Sequence, residues 1–433
     1  MERATRGLAV ATVGALLLVG TLVAGAATAP DIGVADAEQR QTLVGSQGGG
    51  PGWHDHGSVY LLTGDEMEWR EDSADSYFDV TMRDDGTVLA GFMHSGYEEE
   101  CGPYETPCTK TGFRIIDPGA GEDPEVVEEF AFPVRSQSNS EIHDVEHLAS
   151  GEYLLTDMDS ERLVAVRDGE VTWQWNASEL YTAPEDPTRR DWLHINDVDV
   201  INESHYLVSV RNANQLVIVE RGEGAVEVIN EDDDDATDER CQVRGEQLVP
   251  DADGDVRCGD PEVLDHQHNP QWLGEGAVLV ADSDNDRVVE LHRNESTGEW
   301  EPAWTLTRAE GLDLNWPRDA DRLDNGNTLV TDTLNQRLFE ITPNGTVVWS
   351  HETPRIPYEA ERLPEGERAG AQPYDGNSTV TDPGDGVPVL STGMTVLRAV
   401  APGTPYWFGE AHLGLSLLGV VLIVGGGIDR WRA

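Results

Sequence analysis

The sequence predicts an all-β protein, a β-propeller of six blades flanked by N- and C-terminal transmembrane segments. Three observations predict it. A unit of about 50 residues recurs through the middle of the chain. Each copy is a set of short apolar stretches separated by polar turns, with no long amphipathic helix between them. Two longer apolar stretches bracket the whole.

Five copies of the repeat align without gaps, beginning at Phe78-Asp79-Val80, His143-Asp144-Val145, Asn196-Asp197-Val198, His268-Asn269-Pro270 and Arg318-Asp319-Ala320. Each runs into a turn such as Asp84-Asp85-Gly86 or Asp324-Asn325-Gly326, then an apolar strand around Leu89, Leu154, Leu207, Leu279 or Leu329. Three copies continue as Asp157…Arg162, Asp282…Arg287 and Asp332…Arg337, and outer strands end at Trp175, Trp304 and Trp349. Short strands joined by tight turns at a fixed period are the signature of radially repeated sheets, which leave only short, protected edges. The sixth blade is expected from Ser58–Arg70 joined to strands near Ser378–Val400, so that both ends of the chain close the ring. The stretch Tyr358–Asn377 reads as a polar linker.

The expected division is an anchor or signal segment over residues 1–29, a linker over 30–56, the propeller over 57–400 and a C-terminal transmembrane helix over 407–429. Gly7 to Ala29 is apolar and follows Arg3 and Arg6; Leu413 to Ile428 is apolar and precedes Arg430 and Arg432. With Trp407 and Phe408, the second reaches the roughly 20 residues a spanning helix needs. Arginine outside each segment places both termini in the cytoplasm and the propeller outside the cell. The Ala-Thr-Ala-Pro ending of the first leaves cleavage open.

Composition agrees with an outward-facing protein of a salt-loving organism. Acidic residues number 82 against 29 Lys and Arg, a formal net charge of −53, and Lys110 is the single lysine. Such self-repulsion is screened in molar salt, where the Debye length is about 3 Å. The acidity excludes nucleic acid as a partner, since that requires a basic surface. Asn176, Asn202, Asn294, Asn344 and Asn377 are glycosylation acceptor sites by pattern. The four cysteines allow three pairings, of which proximity favours Cys101–Cys108 and Cys241–Cys258. No cofactor is expected. Asp251-Ala252-Asp253-Gly254-Asp255 has spacing suited to calcium, but a solvated loop is the simpler reading.

The chemistry is sought at the repeated His-Asp position. It begins the strand nearest the channel, so equal positions from different blades converge on one mouth. His143 and His268 occupy that position; His194 and His266 lie two residues upstream, on the same strand face if the alternation holds. Arg211 lies at the end of the second strand of the unit that contains His194. Phe78, Asn196 and Arg318 show that the repeat does not itself demand histidine. The recurring Asp79, Asp144, Asp197 and Asp319, and Arg162, Arg287 and Arg337, are read as structural.

At these residues the chain resembles the arylsulfotransferase family. Asp191-Trp192-Leu193-His194-Ile195-Asn196-Asp197-Val198-Asp199 resembles that family's Asp-Trp-x-His-x-Asn-Ser-Val-Asp run, and Ser209-Val210-Arg211 its Ser-x-Arg strand. Gln267-His268-Asn269-Pro270-Gln271-Trp272-Leu273 resembles the segment bearing the catalytic histidine, and Ile142-His143-Asp144-Val145 the His-His-Asp segment. The likeness covers roughly residues 75–352. This chain departs at Asp197, Ile142 and Pro270. The acidity and the two anchors suit a haloarchaeal, membrane-anchored member. The resemblance implies sulfuryl transfer from an aryl sulfate to a phenol, with His268 as nucleophile, His194 and Arg211 on the sulfuryl oxygens, and His143 assisting. His266 is the rival for the first role. It also implies a short disulfide ahead of the nucleophile, which Cys241 and Cys258 are placed to form.

Two other readings compete. A non-catalytic extracellular propeller binding a partner or a glycan fits the anchors equally well and predicts no sulfated histidine. A calcium-dependent lactonase needs carboxylates on the channel axis, whereas the sequence confines its acidic cluster to one loop. The natural donor and acceptor and the oligomeric state are not legible.

Overall fold

The computed structural model describes residues 2–30, 32–35, 39–50, 53–119, 123–138, 140–231, 242–245, 247–249, 258–374, 378–379 and 388–432. Among the described residues six antiparallel four-stranded arrays make up the body, one of them extended by a short fifth strand, and they are numbered here as blades from the closing one. Blade 1 joins Ile356–Arg362 to Gln41–Gly48, Ser58–Thr63 and Glu66–Glu71. Blade 2 runs from Ser76 to Val134, blade 3 from Val145 to Asn176, blade 4 from Ile195 to Ile229, blade 5 from His268 to Leu306 and blade 6 from Asp319 to Glu352.

Each blade buries both faces against its neighbours, and the resulting apolar clusters close a ring. Leu43, Leu61 and Trp69 pack on Tyr77 and Ala90 between blades 1 and 2. Leu89 and Phe113 meet Val145 and Leu155 between 2 and 3, and Leu154 and Trp175 meet Val198 and Val208 between 3 and 4. Leu216 and Ile229 meet Val278 and Leu291, then Trp304 and Leu306 meet Ala320 and Phe339. Leu329 and Trp349 return to Val44 and Ala360 of blade 1. The β-branched strands give this close face-to-face packing, and the outer-strand tryptophans fill the widening wedge. Trp175, Trp304 and Trp349 are all buried.

The axis is tied by side chains reaching across blades. Asp79 accepts the Val145 N–H at 3.1 Å, Asp144 that of Val198 at 2.5 Å and Asp319 that of Ala360 at 3.1 Å. Asp199, not Asp197, makes the equivalent bond from blade 4, to Trp272 N–H at 2.6 Å. The recurring arginines pair within their blades: Arg162 with Asp157 at 2.6 Å, Arg287 with Asp282 at 2.6 Å and Arg337 with Asp332 at 3.0 Å.

The closure differs in detail from the expectation. The linker expected over 30–56 contains the strand Gln41–Gly48, and the polar stretch from Tyr358 begins inside the closing strand Ile356–Arg362. Ser378–Thr379 pairs parallel with the outer edge of blade 5, and Pro388–Val400 is a helix. The reason is register: Tyr358-Glu359-Ala360 continues the series that starts at Phe78-Asp79-Val80, with Glu359 in place of aspartate. Cys101–Cys108 is a disulfide. Cys258 is likewise disulfide-bonded, while Cys241 lies outside the described residues, as do Asn377 and the acidic run Asp251–Asp255.

Among the described residues two helices are long and apolar enough to cross a membrane, Glu2–Thr28 and Glu410–Trp431. They lie antiparallel against each other. A Cβ on Gly7 would fall 2.6 Å from the Gly426 carbonyl oxygen, and one on Gly14 the same distance from that of Gly419. Small residues at these crossings let the two backbones touch. Arg3 pairs with Asp429 at 3.3 Å, so both ends of the pair carrying Arg6, Arg430 and Arg432 lie on one side.

Candidate functional site at the channel mouth

One side chain from each blade, in equal register, reaches the same mouth of the channel: Tyr358, Phe78, His143, Asn196, His268 and Arg318. All six are buried. Tyr358 lies at their centre. Its ring is nearly parallel to that of His143 at 5.3 Å, and meets Phe78 at 5.4 Å and His268 at 6.2 Å. The Arg318 guanidinium lies 4.9 Å from it. His194 stacks on His143 at 5.1 Å. Imidazoles from three blades therefore share one small volume, as the equal register implies.

His194 reaches that volume by a route the strand alternation does not give. It precedes the strand Ile195–Val200 and has a left-handed backbone, φ 55°. The Glu161 carboxyl holds this kink by accepting the N–H groups of Leu193, His194 and Ile195. Arg211 opens a short 3-10 turn after its strand, and its own N–H donates to the His194 carbonyl at 3.3 Å. Its positive charge bears on His194, His268 and Arg318. His266 is held by carboxylates instead: its Nδ1 lies 2.6 Å from Asp284 and 3.5 Å from Asp265.

The hydrogen bonds around His268 fix its tautomer. Its Nδ1 faces the His266 carbonyl at 3.1 Å and the Ser283 hydroxyl at 2.8 Å. Ser283 spends its own proton on the Pro317 carbonyl at 2.7 Å. Both neighbours of Nδ1 are thus acceptors, so Nδ1 carries the hydrogen and Nε2 keeps its lone pair. Burial holds His268 well below the usual imidazole range, and the charges of Arg318 and Arg211 add to it. Burial likewise depresses His143 and His194. Burial lowers Arg318 to about 10, which leaves it cationic at neutral pH.

Several buried polar atoms here have no protein partner: His143 Nδ1, Arg211 Nε, Arg318 Nε and Tyr358 Oη. Buried polar atoms of this kind take their partner from ordered water, an ion or a ligand. Beside them His54 Nε2 lies 3.2 Å from Glu141. Burial would raise Glu141, but the His54 bond and the charges of His54, His143 and His194 hold its carboxyl well below the usual range.

Sequence reasoning missed Tyr358, Glu141, His54 and Trp316, and gave Arg318 no role. The repeat carried the signal for Arg318 and Tyr358, which stand in the histidine register. Nothing in the spacing marks His54 or Trp316, which come from connecting loops.

Below the mouth the channel is acidic. Burial pushes Asp144, Asp199, Asp319 and Glu361 up to about 7 and holds Asp197, Asp321 and Glu359 well above the usual carboxylate range. The acidic residues are therefore not confined to one loop. Among the described residues, Asp265, His266 and Asp284 place ligand atoms within 4.8 Å of one another, a geometry that suits a metal ion.

Comparison with known proteins bears on the same residues. Residues 142–299 match the family model described as Arylsulfotransferase (ASST). The match spans blades 3 and 4 and most of blade 5, and it contains His143, His194, Arg211, His266 and His268. It supports an arylsulfotransferase assignment in general terms. No curated protein matches the chain. Among solved structures, a protein of unknown function from Bacteroides caccae is 15% identical, covering 76% of this chain and 100% of that one, with a TM-score of 0.48. The periplasmic gluconolactonase of Pseudomonas aeruginosa is 13% identical, over 75% of this chain and 98% of that one, with a TM-score of 0.41. Virginiamycin B lyase from Staphylococcus aureus is 9% identical over 63% and 68%, with a TM-score of 0.36.

Proposed function

We propose that this protein moves a sulfuryl group from an aryl sulfate to a phenol through a sulfated His268. The observation that carries this is a neutral imidazole with a free Nε2 among two guanidinium groups and two further imidazoles. In the first half-reaction Nε2 bonds to sulfur, the sulfur–oxygen bond to the aryl group breaks, and the phenolate leaves. In the second, the oxygen of an acceptor phenol bonds to sulfur and the nitrogen–sulfur bond breaks. The acceptor's proton ends on the departed phenolate, with His143 as carrier. Negative charge on the sulfuryl oxygens is met by Arg318, Arg211 and His194, positioned before the reaction in a site shielded from water. The arginine-flanked ends of the paired helices lie in the cytoplasm, and the propeller faces outward.

Single-turnover release of nitrophenol from nitrophenyl sulfate in molar salt tests the roles. The His268→Asn variant should release none, while His266→Asn should keep the burst. A burst from His268→Asn overturns the assignment.

A further inference from the structure

The helix pair is fixed to one face of the propeller, and it is the face bearing the histidine cluster. Arg398, in the helix Pro388–Val400, donates to the Leu334 carbonyl at 3.2 Å and to the Asn335 side chain. Gln336 donates to the Pro402 carbonyl. These contacts fall on the Thr333–Asn335 turn of blade 6, which follows the second strand and so lies where the first strand begins. Beneath them Trp53, Trp316, Leu334 and Ile356 pack together, and Arg318 lies over the rings of Trp316 and Trp53. Tyr406 donates to the Pro30 carbonyl at 2.9 Å, which ties the two membrane helices together where they leave this face.

Between the helices and the face lies a cavity of about 800 Å³. Its propeller side is mostly polar, with Asp284 and Asn335; on the other side Met394, Tyr406 and Trp407 form an aromatic and apolar strip beside the charged Glu410. Asp284 belongs to both cavity and site. One of its oxygens accepts from the Trp316 indole at 2.7 Å, and the Trp316 ring stands edge-on to His268 at 5.7 Å. Depth is set by aromatic residues. Tyr406, Trp407 and Phe408 precede the C-terminal helix, and Trp431 ends it. Aromatic belts of this kind sit at the two water–bilayer boundaries. The helix has 22 residues and so spans about 33 Å, enough for the hydrocarbon core of about 30 Å. Apolar side chains on it, such as Val421 and Val424, are exposed on the described surface. Trp407 thus lies at the bilayer boundary while lining the cavity.

The geometry points to a lipophilic acceptor: a phenol bearing a long apolar tail, which resides in the outer leaflet and enters through this cavity. The inference rests on the sulfuryl-transfer reading and adds its substrate class and its route. A phenol of this kind concentrates in the layer at which the cavity opens, whereas a short phenol stays in water. The cavity accommodates the tail along Met394 and Trp407, and the hydroxyl reaches the histidines past Asp284 and Trp316.

The full chain in phosphatidylcholine vesicles, in molar salt, provides the test. 4-Methylphenol and 4-dodecylphenol share a reacting group, and nitrophenyl sulfate serves as donor. At low lipid the dodecyl acceptor should be sulfated at least tenfold faster, and added lipid should slow it by surface dilution. Met394→Arg should cut the dodecyl rate at least tenfold more than the methyl rate. Equal rates for the two acceptors, untouched by added lipid, overturn the inference and leave the transferase reading standing. Absence of transfer to either acceptor overturns the transferase reading. In that case a diazirine-bearing alkylphenol decides the route. Cross-links on Met394 or Trp407 support it, and cross-links confined to other surfaces overturn it.

Discussion

Replacing Arg318 with methionine separates a catalytic cation from a structural one. The guanidinium lies 4.4 Å from the Trp316 ring, 4.9 Å from Tyr358 and 5.6 Å from Trp53, and it donates to Gln47. Methionine is flexible and apolar, fills much of the same volume and keeps contact with the rings. Gln47 loses a donor, at about 1 kcal/mol, while removal of a buried charge acts in the opposite direction. The thermal midpoint should therefore move by less than about 4 °C. Loss of one donor to a developing oxyanion costs about 2.7–4 kcal/mol, so kcat should fall about 10²–10³-fold. A second effect follows at His268. After burial, Arg318 is the foremost charge holding that imidazole down. Without it the His268 pKa rises, and the neutral nucleophile is lost at a higher pH on acidification. Single-turnover nitrophenol release across pH in molar salt reads both effects. A rate within threefold of the native one, with an unmoved acid limb, would refute the role given to Arg318.

Two further outcomes are expected. Asp199→Asn keeps an oxygen for the Trp272 N–H and removes a buried charge. Burial raises Asp199 to about 7 in the folded state, so its contribution to stability is present below the unfolded value and lost as pH rises through 7. The variant should melt about 2–4 °C above the native protein at pH 8 and no higher at pH 5; a gain at pH 5 alone refutes the sign. Gly14→Leu sets a Cβ against the Gly419 carbonyl, so the two membrane helices must part. Spin labels at Ala4 and Ile428 should then report a longer distance in vesicles, and an unchanged one refutes the pairing.

Much of the fold is legible because its repeat is chemical as well as geometric. The apolar strand near Leu89, Leu154, Leu207, Leu279 and Leu329 returns at each period, and the inter-blade carboxylates return with it. His143 and His268 follow from register alone. The closing strand is hidden because Glu359 stands where aspartate would mark the repeat, inside a stretch rich in charge and proline. Val389, Thr392, Thr395 and Val396 favour strand by propensity, yet they form a helix, fixed at its end by Arg398 on blade 6. Tertiary contact outweighs intrinsic preference there. The His194 side chain arrives through a left-handed turn held by Glu161, which no pattern of alternation encodes. The channel carboxylates were visible individually, but only closure of the ring brings them together.

The covalent step is the centre of the account, and mass spectrometry reaches it directly. The outer domain with its helices, mixed in molar salt with nitrophenyl sulfate and no acceptor, should gain one sulfuryl group on the peptide bearing His268, and added phenol should discharge it. A sulfuryl group on a different residue, or an unmodified protein that still releases nitrophenol, would contradict the account.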